Sequence, residues 1–186
     1  MIPRRRVLAA AVAAPLAGCS DGNTVTVGSP GGLTVTSPAF ETGGTIPTEY
    51  TGDGADRSPP LSIGGVPAEA VTLALVVDDP DAPSGTFVHW LLWNVPGDRA
   101  DIPAGVPQRE TVADLGGARQ GTNGFDELGY RGPLPPSGDG PHTYRFTVYA
   151  LDTDLNVEAG ARRDHLEEAL AGPILASGRL SGEYER

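Results

Sequence analysis

Lysine is missing from this 186-residue chain, and cysteine occurs once, at Cys19. All 13 basic residues are therefore arginine, and they face 24 carboxylates for a formal net charge of −11. So acidic a surface repels a phosphate backbone, which excludes a nucleic-acid binder. The same composition keeps a protein hydrated in concentrated salt and points to a halophilic source. A lone cysteine rules out an intramolecular disulfide. No apolar run approaches the roughly 20 residues of a membrane-spanning helix. The three histidines show no spacing of metal-ligand type, and no Gly-rich phosphate loop joins a strand to a helix, so neither a metal nor a cofactor is expected. Glycine and proline, in contrast, are plentiful at 26 and 18 residues, which excludes an all-helical fold.

The amino terminus reads as an address. Arg4, Arg5 and Arg6 precede Val7, Leu8 and an Ala-rich stretch, a loose twin-arginine pattern. Leu16-Ala17-Gly18-Cys19 resembles a lipobox, in which the cysteine thiol is lipidated. Residues 1–18 are thus expected to be a signal peptide, and 19–32, which are small, polar and Gly-rich, a flexible tether. Residues 33–186 then form one domain, exported and held to the outer face of the cell membrane through Cys19. The lipid anchor is the only membrane contact expected.

Within that domain strand signals dominate. Short alternation over 33–36, a continuous apolar run over 71–77 and an aromatic-rich segment over 86–95 all read as strands. So do the alternating segment 143–151 and a late piece over 174–180. Segments 96–107 and 129–141 are loops by composition. Leu166, Ala169 and Leu170 lie at helical spacing within 162–171, and Gly172-Pro173 stops the helix. It lacks a good cap at its start. Together these features predict a mainly β protein, an antiparallel β-sandwich with a short helix near the carboxy terminus.

Three segments could carry chemistry. Asp78-Asp79-Pro80-Asp81-Ala82-Pro83 follows the apolar strand as a rigid acidic corner, because each proline fixes its own φ and restricts the residue before it. The alternative is a turn whose carboxylates bond local amides. His89 lies on the second strand, where a period of two puts it on one face with Phe87, Leu91 and Trp93; there it is either a site residue or a core histidine. Gly129-Tyr130-Arg131-Gly132-Pro133-Leu134-Pro135-Pro136 is either an anion-binding bend of exposed amides or a stiff loop. His142 and Tyr144 share a face just beyond it.

Taken together, these segments resemble, in order and spacing, the phosphatidylethanolamine-binding protein family, and most closely its bacterial and archaeal Raf kinase inhibitor-like branch. The motifs are DPDAP (79–83), FVHWLLWNVP (87–96), QGTNGF (120–125), GYRGPLPP (129–136) and HTYRFTVYALD (142–152). The chain departs from the family pattern at Asp126, Arg131 and Thr143. The resemblance implies two antiparallel sheets and a small surface pocket for phosphate-like anions or phospholipid head groups such as phosphoethanolamine. It assigns Asp79, His89, Gly132, His142 and Tyr144 to that pocket, with Pro83 and Phe87 at its entrance and Ala82–Pro83 a candidate cis peptide. Asp79 would pair with a protonated imidazole, so anion binding would strengthen as pH falls. Asp79 or Asp81 could receive the ammonium of a zwitterion, and Phe87 with Trp90 would exclude water. The alternative reading is a protease inhibitor or regulatory partner-binding protein of the same fold, its protein partner unidentified. A hydrolase is not expected, because the chain has no G-x-S-x-G elbow and no H-E-x-x-H helix.

Overall fold

The computed structural model describes residues 32–186. The expected signal peptide, the Cys19 anchor and the tether up to residue 31 lie outside the described residues. Among those described, no helix is long and apolar enough to cross a membrane.

Four long strands carry the architecture: β4 (Thr72–Asp79), β5 (Phe87–Pro96), β9 (His142–Leu151) and β10 (Ile174–Tyr184). Every residue of β4 is buried, because side chains leave a strand alternately to both faces and both faces here are covered. Leu73, Leu75 and Val77 join one apolar cluster, with Phe146 and Val148 of β9. Ala74 and Val76 join a second, with Leu155, Leu166 and Leu170. The large sheet runs β2–β10–β9–β4–β5–β8–β7, where β2 is Gly44–Thr45, β7 Thr111–Val112 and β8 Ala118–Gln120. A small sheet, β1–β3–β6 (Thr34–Thr36, Leu61–Gly64, Asp101–Ile102), closes the first cluster from outside. All pairings are antiparallel except β10 with β2. The expected sandwich is present.

The second face is covered by α1 (Arg163–Leu170) and the segment leading into it. Leu166 and Leu170, one helical turn apart, are its buried anchors. No side chain caps its start at Arg162, and it ends at Ala171. Charge also docks it. Asp78, 5% exposed, accepts two hydrogen bonds from Arg145, at 2.7 and 2.8 Å, and one from Arg163 at 3.2 Å.

Two irregularities in β5 change the expected phase. Between Val77↔Trp90 and Asp78↔Val88, β4 advances by one residue and β5 by two, so His89 has no partner on β4. Such a bulge flips the alternation beyond it. Trp90 and Leu92 therefore enter the first cluster, while Leu91 and Trp93 enter the second, away from His89. The expected shared face of His89, Leu91 and Trp93 is corrected accordingly. A second shift lies between Leu73↔Val95 and Leu75↔Leu92, where Asn94 takes φ 58° and its side chain clasps the Leu155 backbone through both amide atoms.

One buried amide holds the far side of β5. Gln120, fully buried, accepts from Trp90 Nε1 at 2.7 Å and donates to the carbonyls of Pro107 and Arg109 at 2.7 and 2.8 Å. Replacing it with a leucine of similar size strands an indole N–H and two carbonyls without water, each a real penalty. Gln120→Leu is expected to destabilise the domain by about 2–4 kcal/mol, read as a lower denaturation midpoint at an unchanged slope.

Candidate functional site

The bulge sets the site in place. β4 ends in Asp79, opposite Phe87 at the start of β5. β9 runs beside β4 and begins with His142 and Tyr144. In place of a strand, the 121–131 segment holds the open edge of β5: Gly121, Gly124 and Arg131 donate their amides to the carbonyls of Leu91, Val88 and His89. That segment brings Phe125 and the Leu134–Pro136 stretch over the strand ends. The result is a pocket of about 210 Å³ lined by Asp79, Pro83, Phe87, His89, His142 and Tyr144, together with Ala82, Ser84, Phe125, Leu134, Pro135 and Pro136.

Each imidazole is oriented by an acceptor. His142 Nδ1 lies 2.8 Å from Asp79 Oδ2, and its Nε2 lies 3.3 Å from Asp139 Oδ2. Two carboxylates at the two ring nitrogens require two protons, so the cation is favoured. Burial works against that charge, but the hydrogen bonds and charges of Asp79 and Asp139 outweigh it and raise His142 above the ordinary histidine value. His89 behaves oppositely. Its Nδ1 donates to the Arg131 carbonyl at 2.7 Å, which leaves Nε2 as the acceptor of the neutral ring. Burial lowers its value, and the Arg131 carbonyl and the Asp79 charge offset this only in part. Tyr144 is 1% exposed, and its hydroxyl faces Asp79 and the Leu134 backbone without a well-aligned hydrogen bond to either. Burial, reinforced by the Asp79 charge, raises it well out of the physiological range, so it remains a donor.

Asp79 is fully engaged, one oxygen on His142 and the other on the amide of Asp81 at 2.8 Å. Asp81 itself is not in the lining, contrary to expectation. Behind the Pro80 turn its carboxylate folds back and accepts the Thr143 amide at 2.8 Å, tying the acidic corner to β9. Gly132 is also outside the lining. Its amide, expected to face an anion, donates to Asp56 Oδ1 at 2.7 Å. It is glycine because a Cβ there would stand 2.5 Å from the Tyr50 carbonyl. Trp90 is core, packed edge-on against Tyr130 at 5.6 Å, and does not frame the pocket. Phe125 takes that part instead: its ring lies 4.8 Å from Phe87 and 5.7 Å from His89, with Tyr144 5.1 Å from His89 on the other side. Among the described residues every peptide bond is trans, Ala82–Pro83 included.

Sequence reasoning missed Phe125, although it ends the QGTNGF motif, and Asp139, three residues before His142. The signal for Phe125 was present in Asn123, a buried amide whose Oδ1 accepts the Phe125 and Glu127 amides and whose Nδ2 donates to the Gly129 carbonyl, fixing the turn that presents the ring. No group of three or more His, Cys, Asp or Glu among the described residues is arranged to hold a metal ion.

The two histidines should separate on titration. A value raised by folding contributes stability that is complete below the ordinary histidine range and is lost as pH rises through the folded value. The lowered His89 value contributes stability above that range and loses it as pH falls. Imidazole NMR of the ligand-free domain is expected to give a midpoint above about 6.5 for His142 and below it for His89. Asp139→Asn is expected to lower the His142 midpoint and leave His89 nearly unmoved.

The comparisons with known proteins agree with this architecture. The family model for phosphatidylethanolamine-binding protein matches residues 36–185. A UPF0098 protein of Pyrococcus abyssi is 49% identical over 141 residues, covering 76% of this chain and 79% of its own. A Mycobacterium tuberculosis protein, whose name marks it as a candidate lipoprotein, is 39% identical over 154 residues, covering 82% of this chain and 72% of its own. The crystal structure of a phosphatidylethanolamine-binding protein homologue from Chlamydia trachomatis superposes with a TM-score of 0.75 at 38% identity, over 83% of this chain and 98% of that one. The chain belongs to the phosphatidylethanolamine-binding protein family.

Proposed function

We propose that this protein binds a small phosphate-like anion or the phosphate-bearing head group of a lipid in the 210 Å³ pocket. The observation that carries the reading is the Tyr144 hydroxyl, buried without a well-aligned hydrogen bond in a pocket that both imidazoles also line. A buried donor left unpaired costs free energy, and an anion oxygen would recover it. A protonated His89 would add a charge-assisted hydrogen bond through Nε2. Phe87, Phe125 and the prolines would keep water from these contacts.

The charge balance limits the ligand. With His142 cationic and His89 neutral, the pocket carries the carboxylates of Asp79 and Asp139 against one imidazolium. An anion therefore binds best when His89 takes up a proton, and affinity falls as pH rises. A zwitterion can bring its own cation to the Asp139 carboxylate, which contacts His142 and whose side chain is 48% exposed. That favours a phosphoethanolamine-like group over inorganic phosphate.

Export and tethering through Cys19 belong to the same proposal. They are supported by the arginine cluster and lipobox of the sequence and by the name of the Mycobacterium tuberculosis relative. The binding role is non-enzymatic in this reading, with no cofactor. An inhibitor or partner-binding role has less behind it, since Val71 is the one large apolar side chain left exposed among the described residues.

Titration of the domain with phosphate and with phosphoethanolamine at pH 6 and high salt is expected to shift the His89, His142 and Tyr144 ring resonances. His89→Ala is expected to weaken binding by about tenfold or more, the worth of one charge-assisted hydrogen bond. Rings that stay unperturbed at millimolar ligand would sink the proposal.

A further inference from the structure

His142 has a carboxylate in direct contact, whereas His89 bonds only a backbone carbonyl. That carbonyl belongs to the Arg131–Gly132 peptide, and the N–H of the same peptide donates to Asp56 Oδ1 at 2.7 Å. The peptide is trans, so its C=O and N–H point in opposite directions, one to the imidazole and one to the carboxylate. A continuous line therefore runs from Asp56 Oδ1 through H–N and C=O to H–Nδ1 of His89.

We infer that Asp56 is a positioning residue for His89, the remote carboxylate of a histidine–carboxylate pair relayed through one peptide unit. A charge accepting the N–H polarises the amide and makes its carbonyl a stronger acceptor, as successive hydrogen bonds reinforce one another. A stronger acceptor at Nδ1 holds the proton there, keeps Nε2 available to the pocket and stabilises the imidazolium.

Independent geometry shows that the contact is built. Asp56 takes φ 53°, a left-handed conformation uncommon for a residue with a side chain. Its other oxygen lies 3.0 Å from Arg131 Nε, and its side chain is 19% exposed. The amide of Arg131 donates to the His89 carbonyl at 2.9 Å, so the loop is bonded to His89 on both its backbone and its ring. The other groups facing His89 are Asp79 at the end of β4, His142 and Tyr144 of β9, and Phe87 and Phe125. The Arg131 guanidinium, 5.6 Å from the Phe125 ring centre and also paired with Glu127, opposes the field of Asp56 in part. The consequence for ligand affinity rests on the pocket being the anion site; the relay itself does not.

The test uses the ligand-free protein first. In the wild type, the Gly132 amide resonance is expected to titrate with the His89 midpoint, because the two share one peptide. Asp56→Asn keeps an acceptor for Gly132 but removes the charge. It is expected to lower the His89 midpoint by about 0.3 pH or more, a twofold weaker hold on the proton, and to move the Nδ1–H proton upfield, with His142 unmoved as the control for folding. Arg131→Gln leaves Asp56 unopposed and is expected to move the His89 midpoint the other way. A Gly132 amide blind to His89 protonation overturns the inference, as does a His89 midpoint that D56N moves by less than about 0.1. Phosphate affinity at pH 6 is then read for D56N and is expected to fall about twofold with the midpoint. If the midpoint moves as expected and the wild type binds neither phosphate nor phosphoethanolamine, the relay stands and the proposed function fails.

Discussion

A single unpaired residue in a ten-residue strand determines where the chemistry of this protein can sit. Without the bulge at His89, strict alternation would carry that ring and Trp90 to opposite faces, and the pocket would lose either its second imidazole or the core beneath it. With it, the same face holds a histidine at the strand end and a fully buried indole one step further in. On its other edge β5 pairs with β8 only at Leu92 and Trp93. The 121–131 segment supplies the missing donors, and in doing so delivers Phe125 and the proline stretch to the pocket rim. Bulge, edge segment and pocket are thus one construction.

The electrostatic character of the pocket follows from how each imidazole is anchored. His142 meets carboxylates on both nitrogens and is charged at the expense of two anions, so it adds little net attraction. His89 meets only a neutral carbonyl and is the group whose charge is still variable. In the proposed role, the pocket of an acidic protein would attract anions through one ring and not through a basic patch, since no arginine lines it among the described residues.

The long elements were legible because their patterns report burial directly. The apolar runs of β4 and β9 and the Leu166–Leu170 spacing of α1 state which faces are covered. β1 was legible from its alternation, but the two-residue strands were not, since β2, β6 and β7 are fixed by the neighbours they pair with and carry too few side chains for a period. At the site, residues that line the pocket from strands (Asp79, His89, His142, Tyr144) were read from motif order. Those whose role depends on where the backbone turns were not. Gly132 was read as an open amide when it is a close approach, Asp81 as a ligand when it is a clasp, and Trp90 as a wall when the bulge sends it inward. A bulge leaves no trace in hydrophobic period until the partner strand is known.

The ion cluster under α1 has a different kind of consequence. Arg145 and Arg163 meet Asp78 where it is almost wholly shielded, whereas Arg162–Asp126 and Arg57–Glu49 stand in solvent. Mobile ions collapse the attraction of the second kind within a few ångströms and reach the first kind poorly. In brine, then, the helix stays moored by its leucines and by the half-shielded Arg163–Asp78 pair while the outer contacts fade first, and its grip on the sheet depends less on the surrounding electrolyte than those contacts do.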